Sequence, residues 1–401
     1  MKRRELLRSA LGAPLLAGAV AGMGHGHPAE ASRCAYRGTC DMGVVIERAS
    51  GSLLIVDTTA RTVVDRVERL GDLSHASVVY GRSGQFAYVF GRDGGLTMVD
   101  LLRGNIRRRI IQSGNSIGGA ISDDGRLIAV SNYKPGGVKV FDSETLEEVA
   151  DIPATYAGGR SKVVGLVDAP GRKFVFSLYD AGEIWMADFS GEKPEVIRIG
   201  RAGRLPYDGL IAQGGRIYIA GLFGEDGLAM VDLWEDPPRV RRILKDYGRG
   251  ERKLPVYKMP HLEGWAEAAG MFFLPAIGRH EVLVADGRTF RLKRKIPVHG
   301  QPVFAMARPD GRHVWVNFAH PDNDTVQVID VKTLKVIHTM KPGRAVLHME
   351  FTPRGEQVWL SVRDANRVDI HDTHTFEKIG EIPAKAPSGI FFTARAGRIG
   401  L

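Results

Sequence analysis

Eight aspartates end eight similar strand-like phrases in this chain: Asp57, Asp100, Asp142, Asp188, Asp232, Asp286, Asp330 and Asp372, at intervals of 43, 42, 46, 44, 54, 44 and 42 residues. An interval of about 40–45 residues is the length of one four-stranded propeller blade. The phrase is clearest from Ala305 to Asp330, where a Pro309-Asp310-Gly311 turn precedes an alternating strand predicted over His313–Phe318. A loop, a strand Val326–Ile329, the aspartate, and an outer strand Lys335–Met340 follow. Valine and isoleucine dominate the strands, as a pleated buried surface favours. An aspartate at a strand end accepts amide hydrogens from the next turn, so these eight are read as structural.

A ring of blades must close, because an open sheet edge invites pairing with other chains. The last segment, Ser388–Thr393, reads as a first strand without the rest of its blade, and Gly43–Glu47 with Leu53–Val56 read as the remainder. The expectation is an all-β fold, an eight-bladed β-propeller of four-stranded blades over residues 32–401, whose N- and C-terminal strands share a blade. The longest interval holds an insertion at Tyr247–Gly264, and long loops in compact folds are more often functional than accidental.

Residues 1–31 read as a cleavable export signal of the twin-arginine type. Arg3-Arg4 precedes a mildly apolar stretch from Leu11 to Gly22, and Ala29-Glu30-Ala31 fits a cleavage site. The stretch is too short for a permanent span, which needs about 20 apolar residues. The expected location is therefore the periplasm. That compartment permits a disulfide between the two cysteines, Cys34 and Cys40. Without a CxxCH there is no covalent haem attachment.

The net charge of +9 fits either a soluble surface or a funnel tuned to an acidic ligand. Propellers present the links between blades and the links between second and third strands on one face. The first set offers His75, Asn115, Arg160, Arg204 with Tyr207 and Asp208, His261, His299, Arg344 and His348. The second offers Arg92 with Asp93, Asn132–Lys134, His280, His320 and Arg363. Arginine holds carboxylates through paired hydrogen bonds, and histidine ligates iron or exchanges protons near neutrality. Such a set suits a flat ligand bearing carboxylates. His313, His338, His371 and His374 fall on strands or the opposite face and are read as structural. No GxGxxG opens a helix after a strand, so no Rossmann nucleotide site is evident, and no HExxH or CxxC pair marks zinc. Basic residues are not interleaved with aromatics along a groove, which argues against nucleic acid.

Several phrases are more specific than the repeat. Asp41-Met42-Gly43-Val44-Val45-Ile46-Glu47-Arg48, GDLSHASVVYGRSGQFAYVFGRDGG (71–95), GNSIGGAISDDG (114–125), NYKPGGVKVFD (132–142) and the tail SGIFFTARAGRIGL (388–401) closely resemble the NirF family of haem d1 biosynthesis proteins. The resemblance spans essentially the whole mature chain. It implies late periplasmic work on a d1-haem precursor, a tetrapyrrole with carboxylate side chains. This would serve maturation of cytochrome cd1 nitrite reductase in denitrification. Two activities stay open: a tetrapyrrole-modifying enzyme such as a dehydrogenase, or a non-catalytic carrier that hands the precursor to NirN or to nitrite reductase.

The resemblance makes His75, in GDLSHAS, the leading functional residue, with Asp93 of FGRDGG beside it as a catalytic candidate. His348 matches a phrase of the related d1 domain that carries a distal histidine, so His75 and His348 are the candidates for haem iron. Arg92, Asn132, Arg160, Arg204, Tyr207, His261, His299, Arg344, His348, Arg363 and Arg395 are the expected ligand-binding set. Cys40 and Gly397 depart from the glycine and histidine expected at those places.

Overall fold

The computed structural model describes residues 39–247, 264–276 and 278–400. The predicted export signal, Cys34, His261 and most of the Tyr247–Gly264 insertion lie outside the described residues; Cys40 is exposed.

Eight four-stranded antiparallel sheets surround a central axis. Blade 1 is the shared one. Its inner strand is Pro387–Phe392, followed outward by Met42–Glu47, Ser52–Asp57 and Thr62–Val67. The closing register pairs Gly43 with Phe392, Val44 with Phe391 and Val45 with Ile390. Blades 2 to 8 begin with the inner strands Ser77–Tyr80, Asn115–Ile121, Val163–Ala169, Pro206–Ala212, Ala266–Ala268, Pro302–Ala307 and Val346–Phe351. Each continues outward through three strands in chain order. A short hairpin, Thr155–Tyr156 with Gly159–Arg160, stands between blades 3 and 4.

The strand sequences follow from this layering. Middle strands are covered on both faces by neighbouring blades and read as unbroken apolar runs: Ser52–Asp57 is buried at every position. Outer strands face water and alternate, as in Lys335–Met340. Eight apolar clusters form, and each lies between two adjacent blades, closing with Trp359 against Phe392 between blades 8 and 1. The fold is therefore held by interfaces between neighbours, each residue fully buried there contributing about 1.5–3 kcal/mol.

All eight repeat aspartates cap the following turn. Oδ1 of Asp57 accepts the amides of Thr59 and Ala60, at 3.0 and 2.7 Å, and Asp100, Asp142, Asp188, Asp232, Asp286, Asp330 and Asp372 accept the equivalent amides. At Asp330 the Thr333 hydroxyl donates as well, at 2.6 Å, and this contact holds the carboxyl below its usual range. Asp330→Ala should cost about 1 kcal/mol, the usual net value of such bonds. A urea unfolding midpoint for the variant equal to that of the wild type would count against the capping role.

The C-terminal segment crosses the rear end of the axis. Thr393 donates to the Met42 carbonyl at 2.8 Å. The Arg82 guanidinium, from the rear turn of blade 2, gathers the carbonyls of Ala396, Arg398, Ile121 and Ser122 and the Asp168 carboxylate. Asp168 also accepts the Gly400 amide at 2.9 Å, and burial pushes this carboxyl up to about 6. The tail thus runs from blade 1 to blades 4 and 5.

Candidate functional site: an axial cavity at the mouth

At the opposite end the inner strands enclose a cavity of about 540 Å³. Its shape depends on irregular inner strands. The ladders slip at Ser116/Gly118, Val164/Val167, Tyr207/Leu210, Pro302/Phe304 and Val346/Met349. An extra residue in one strand re-aims a side chain, and here the inserted positions include Gly165, Asp208 and His348, all lining the cavity. Gly165 adopts φ 57°, and a Cβ there would stand 2.5 Å from the Asp208 carbonyl oxygen. Only glycine lets blades 4 and 5 approach this closely.

One arc of the mouth is cationic. Arg48, Arg92 and Arg363 come from the links between second and third strands of blades 1, 2 and 8, and all three line the cavity. Burial lowers the Arg48 pKa, and Arg363 and Arg92 lower it further, while Asp72 opposes them. Three guanidinium groups that repel one another around a cleft make a site for anions, and the fork of each fits a carboxylate.

The opposite arc carries no guanidinium group. Asp208 adopts φ 49° and is 6% exposed. Its Oδ2 is buried without a hydrogen-bond partner, and burial raises its pKa well above the usual carboxylate range. Burial thus favours the neutral form of this carboxyl. Beside it, the Tyr207 and Tyr133 hydroxyls share a 2.7 Å hydrogen bond. Burial pushes the Tyr133 phenol up to about 12, and Tyr207 is raised too, again chiefly by burial. Tyr207 is held edge-on by Tyr179 and Phe223.

The two histidines differ in depth and chemistry. His75 sits half-buried at the mouth, on the link into blade 2. His348 is on the inner strand of blade 8, packed against Phe304 and Phe391 at 5.5 and 5.2 Å. Its Nδ1 accepts the Ile390 amide at 3.3 Å. A neutral imidazole bonded in this way carries its hydrogen on Nε2 and donates there. Below it, Arg395 reaches the cavity wall but is bound bidentately by Glu350, with Nε to Oε1 at 2.9 Å; both side chains are 8% exposed. Its charge is answered within the protein.

Of the predicted residues, the cavity gathers His75, Arg92, Tyr207, His348, Arg363 and Arg395, with Asn115, His320 and Asp208 from the wider loop sets. It does not gather the other described ones. The Asp93 carboxylate serves its own loop, accepting the Gly95 amide at 3.0 Å and pairing with Arg109 at 2.5 Å. Asn132 is buried between blades 2 and 3, exchanging hydrogen bonds with Gln112. Arg160 lies exposed on the short hairpin, 3.9 Å from Asp151. Arg204 bonds the Gly224 carbonyl, His299 packs edge-on against Phe318 at 5.7 Å, and Arg344 is exposed. The four histidines read as structural are so placed: His313 and His338 pack on Phe376, His371 faces the Phe376 carbonyl, and His374 meets Arg308. Tyr133, within the Asn132–Lys134 loop set, also lines the cavity, whereas sequence reasoning missed Arg48 and Glu350. The signal for Arg48 was its place in the link between second and third strands of blade 1.

Comparison with known proteins agrees with this geometry. Residues 37–396 match the family described as Cytochrome D1 heme domain. The chain is 60% identical over 393 residues to Protein NirF of Pseudomonas aeruginosa, covering 97% of this chain and 98% of the other. It is 59% identical over 369 residues to Protein NirF of Stutzerimonas stutzeri, covering 91% and 94%. Dihydro-heme d1 dehydrogenase of P. aeruginosa is 27% identical over 356 residues, 86% of this chain and 70% of that one. The solved structure of the dehydrogenase NirN in complex with its ligand superposes with a TM-score of 0.79 at 26% identity, over 90% of this chain and 77% of the other. A propeller with this closure, this cavity and these relatives belongs to the cytochrome d1 haem domain family, within its NirF group.

Proposed function

We propose that this chain binds a carboxylate-bearing d1-type tetrapyrrole in the axial cavity and acts on it late in haem d1 assembly. The NirF relatives and the d1 haem domain match support involvement in haem d1 biosynthesis and nitrite reductase maturation. The observation that carries the reading is the cavity's polarity. Arg48, Arg92 and Arg363 line one arc, and a buried carboxyl with two linked phenols lines the other. A flat macrocycle with carboxylate side chains suits such a cavity.

In this reading the arginine arc holds the carboxylates. His75 meets the iron or handles a proton at the mouth, and His348 donates a hydrogen bond from Nε2 deeper in the cavity. Arg395 shapes the wall instead of neutralising the ligand, because Glu350 already does that for it. The setting is the periplasm, reached by the twin-arginine signal, with NirN and cytochrome cd1 nitrite reductase as the partners that give or receive the macrocycle. The reaction is a modification of the macrocycle; retention of its mass would make the protein a carrier instead.

The test is a titration with dihydro-haem d1 followed by its visible spectrum. The wild type should bind and shift the bands. His75→Ala should bind at least about tenfold more weakly if one ligand or charge-assisted bond is lost, with an altered iron spectrum. Mass analysis after incubation with the partner proteins separates enzyme from carrier. No spectral change with the wild type would end the tetrapyrrole reading.

A further inference from the structure

The outer edge of blade 6 carries charge that nothing in the fold uses. From Arg288 to Lys295 the chain holds five basic residues and no acidic one: Arg288, Arg291, Lys293, Arg294 and Lys295. Arg288 lies in the rear turn, and the others run up to and along the outer strand Leu292–Pro297. All five are exposed. Asp286 answers Lys293 at 2.9 Å, and Lys295 lies over the Tyr247 ring, 4.6 Å from its centroid. Among the described residues, no acid pairs with Arg288, Arg291 or Arg294. Charges on a free edge strand guard against aggregation, but this ring does not spread them evenly. The outer strand of blade 3, Glu148–Ile152, has two acidic residues and no basic one, and that of blade 8, Lys378–Pro383, has one of each. Asn105–Ile111 of blade 2 has three arginines, of which Arg109 is bound by Asp93.

A tryptophan stands beside the blade 6 run. Trp234, in the rear turn of blade 5, is 70% exposed. Arg216 lies over its ring, 5.4 Å from the centroid, and is itself fixed by Asp232 through bonds of 3.0 and 2.6 Å. The Gln213 side-chain amide donates to the Gly287 carbonyl at 2.6 Å, which ties this part of blade 5 to the turn that holds Arg288. Arg239, also exposed and unpaired, leads into the outer strand of blade 5. Indole rings settle at the headgroup level of a bilayer, with the apolar body inward and the N–H in water. Cations around such a ring add attraction to anionic headgroups. A specific protein interface would instead need a cluster of large, well-packed anchors. Among the described residues, Trp234 is the one large apolar side chain exposed on the rear turns and outer strands of these two blades.

We propose that the rear edge of blades 5 and 6 is a membrane-docking surface, on which Trp234 enters the headgroup layer of an anionic bilayer while Arg239, Arg288, Arg291 and Arg294 meet its phosphates. The turns that carry Trp234 and Arg288 lie at the end of the ring away from the cavity, so a docked protein keeps its mouth open. This surface acts whatever the cavity holds.

The test is co-sedimentation of the full chain with phosphatidylcholine vesicles containing about one third phosphatidylglycerol, against vesicles of phosphatidylcholine alone. The wild type should pellet with the anionic vesicles only, and less so as salt is raised. The triple variant Arg288→Gln, Arg291→Gln, Arg294→Gln should bind at least about tenfold more weakly, since each cation near an anionic surface contributes about a factor of five. Arg107→Gln with Arg108→Gln removes charge from blade 2 and should bind within about threefold of the wild type, because screening confines the effect to nearby charges. Tryptophan emission should move to shorter wavelength on binding, and Trp234→Ala should lose that movement. Absence of binding, equal binding to both vesicles, or an equal loss in the blade 2 variant overturns the docking surface. Binding to polyglutamate without binding to vesicles also overturns it, and would make this edge a site for an acidic protein.

Discussion

Replacing Arg48, Arg92 and Arg363 together with glutamine is expected to weaken binding of dihydro-haem d1 by at least about 100-fold. Hydrogen bonds to charged groups contribute about 1.5–3 kcal/mol each, and about 1.4 kcal/mol is a factor of ten. Partial exposure at the mouth reduces each value, so two engaged arginines already account for the loss. The wild-type affinity should also fall with added salt, because the mouth is open to screening, and the triple variant should lose most of that dependence. Stability should move the other way. Burial and the two flanking guanidinium groups disfavour the charge of Arg48, so the variant should unfold at a denaturant concentration no lower than the wild type. A triple variant that binds within threefold would show that the arc does not hold the ligand.

Glu350→Ala is expected to destabilise the protein by about 3–5 kcal/mol, the usual result of stripping one partner from a buried ion pair. Arg395 would be left enclosed beneath the Phe391 ring, 5.0 Å from its centroid, without the carboxylate that binds it bidentately. Removing both charges should recover most of the loss: Glu350→Leu with Arg395→Met replaces the pair by apolar volume, which is often neutral or stabilising. Because Glu350 already answers the charge of Arg395, the double variant should change macrocycle affinity only slightly. Denaturant unfolding of the two single variants and the double variant measures the coupling. A single-variant loss below about 1 kcal/mol would mean that the pair is hydrated in solution.

The ring was legible because its signals repeat. One aspartate per blade caps one turn, and each middle strand is buried on both faces, so composition and period agree eight times over. The mouth was legible only where side chains follow loop position, as at His75, Arg92, Tyr207 and Arg363. It failed where local backbone decides direction. Asn132 and Tyr133 were read as one loop, but the strand Leu127–Lys134 runs through both. Alternation then turns Asn132 towards Gln112 and Tyr133 into the cavity. Asp208 stood in the right loop, yet its aim depends on a ladder slip that no residue pattern announces. Asp93 stays out of the cavity lining for the reverse reason: a loop aspartate beside a glycine pair satisfies its own turn first. Glu350 lies inside a strand phrase, and only the folded tail shows that Arg395 needs it.

The blade stitched from both termini has a consequence for how the chain is made. Met42–Glu47 has no partner on its axial side until Pro387–Phe392 arrives, some 340 residues later in synthesis. A ribosomal product cut short anywhere before that point carries a bare hem on its first sheet and another on its last, the kind of edge that recruits strangers. Arrival of the closing strand and the tail beneath Arg82 therefore acts as an inspection of length.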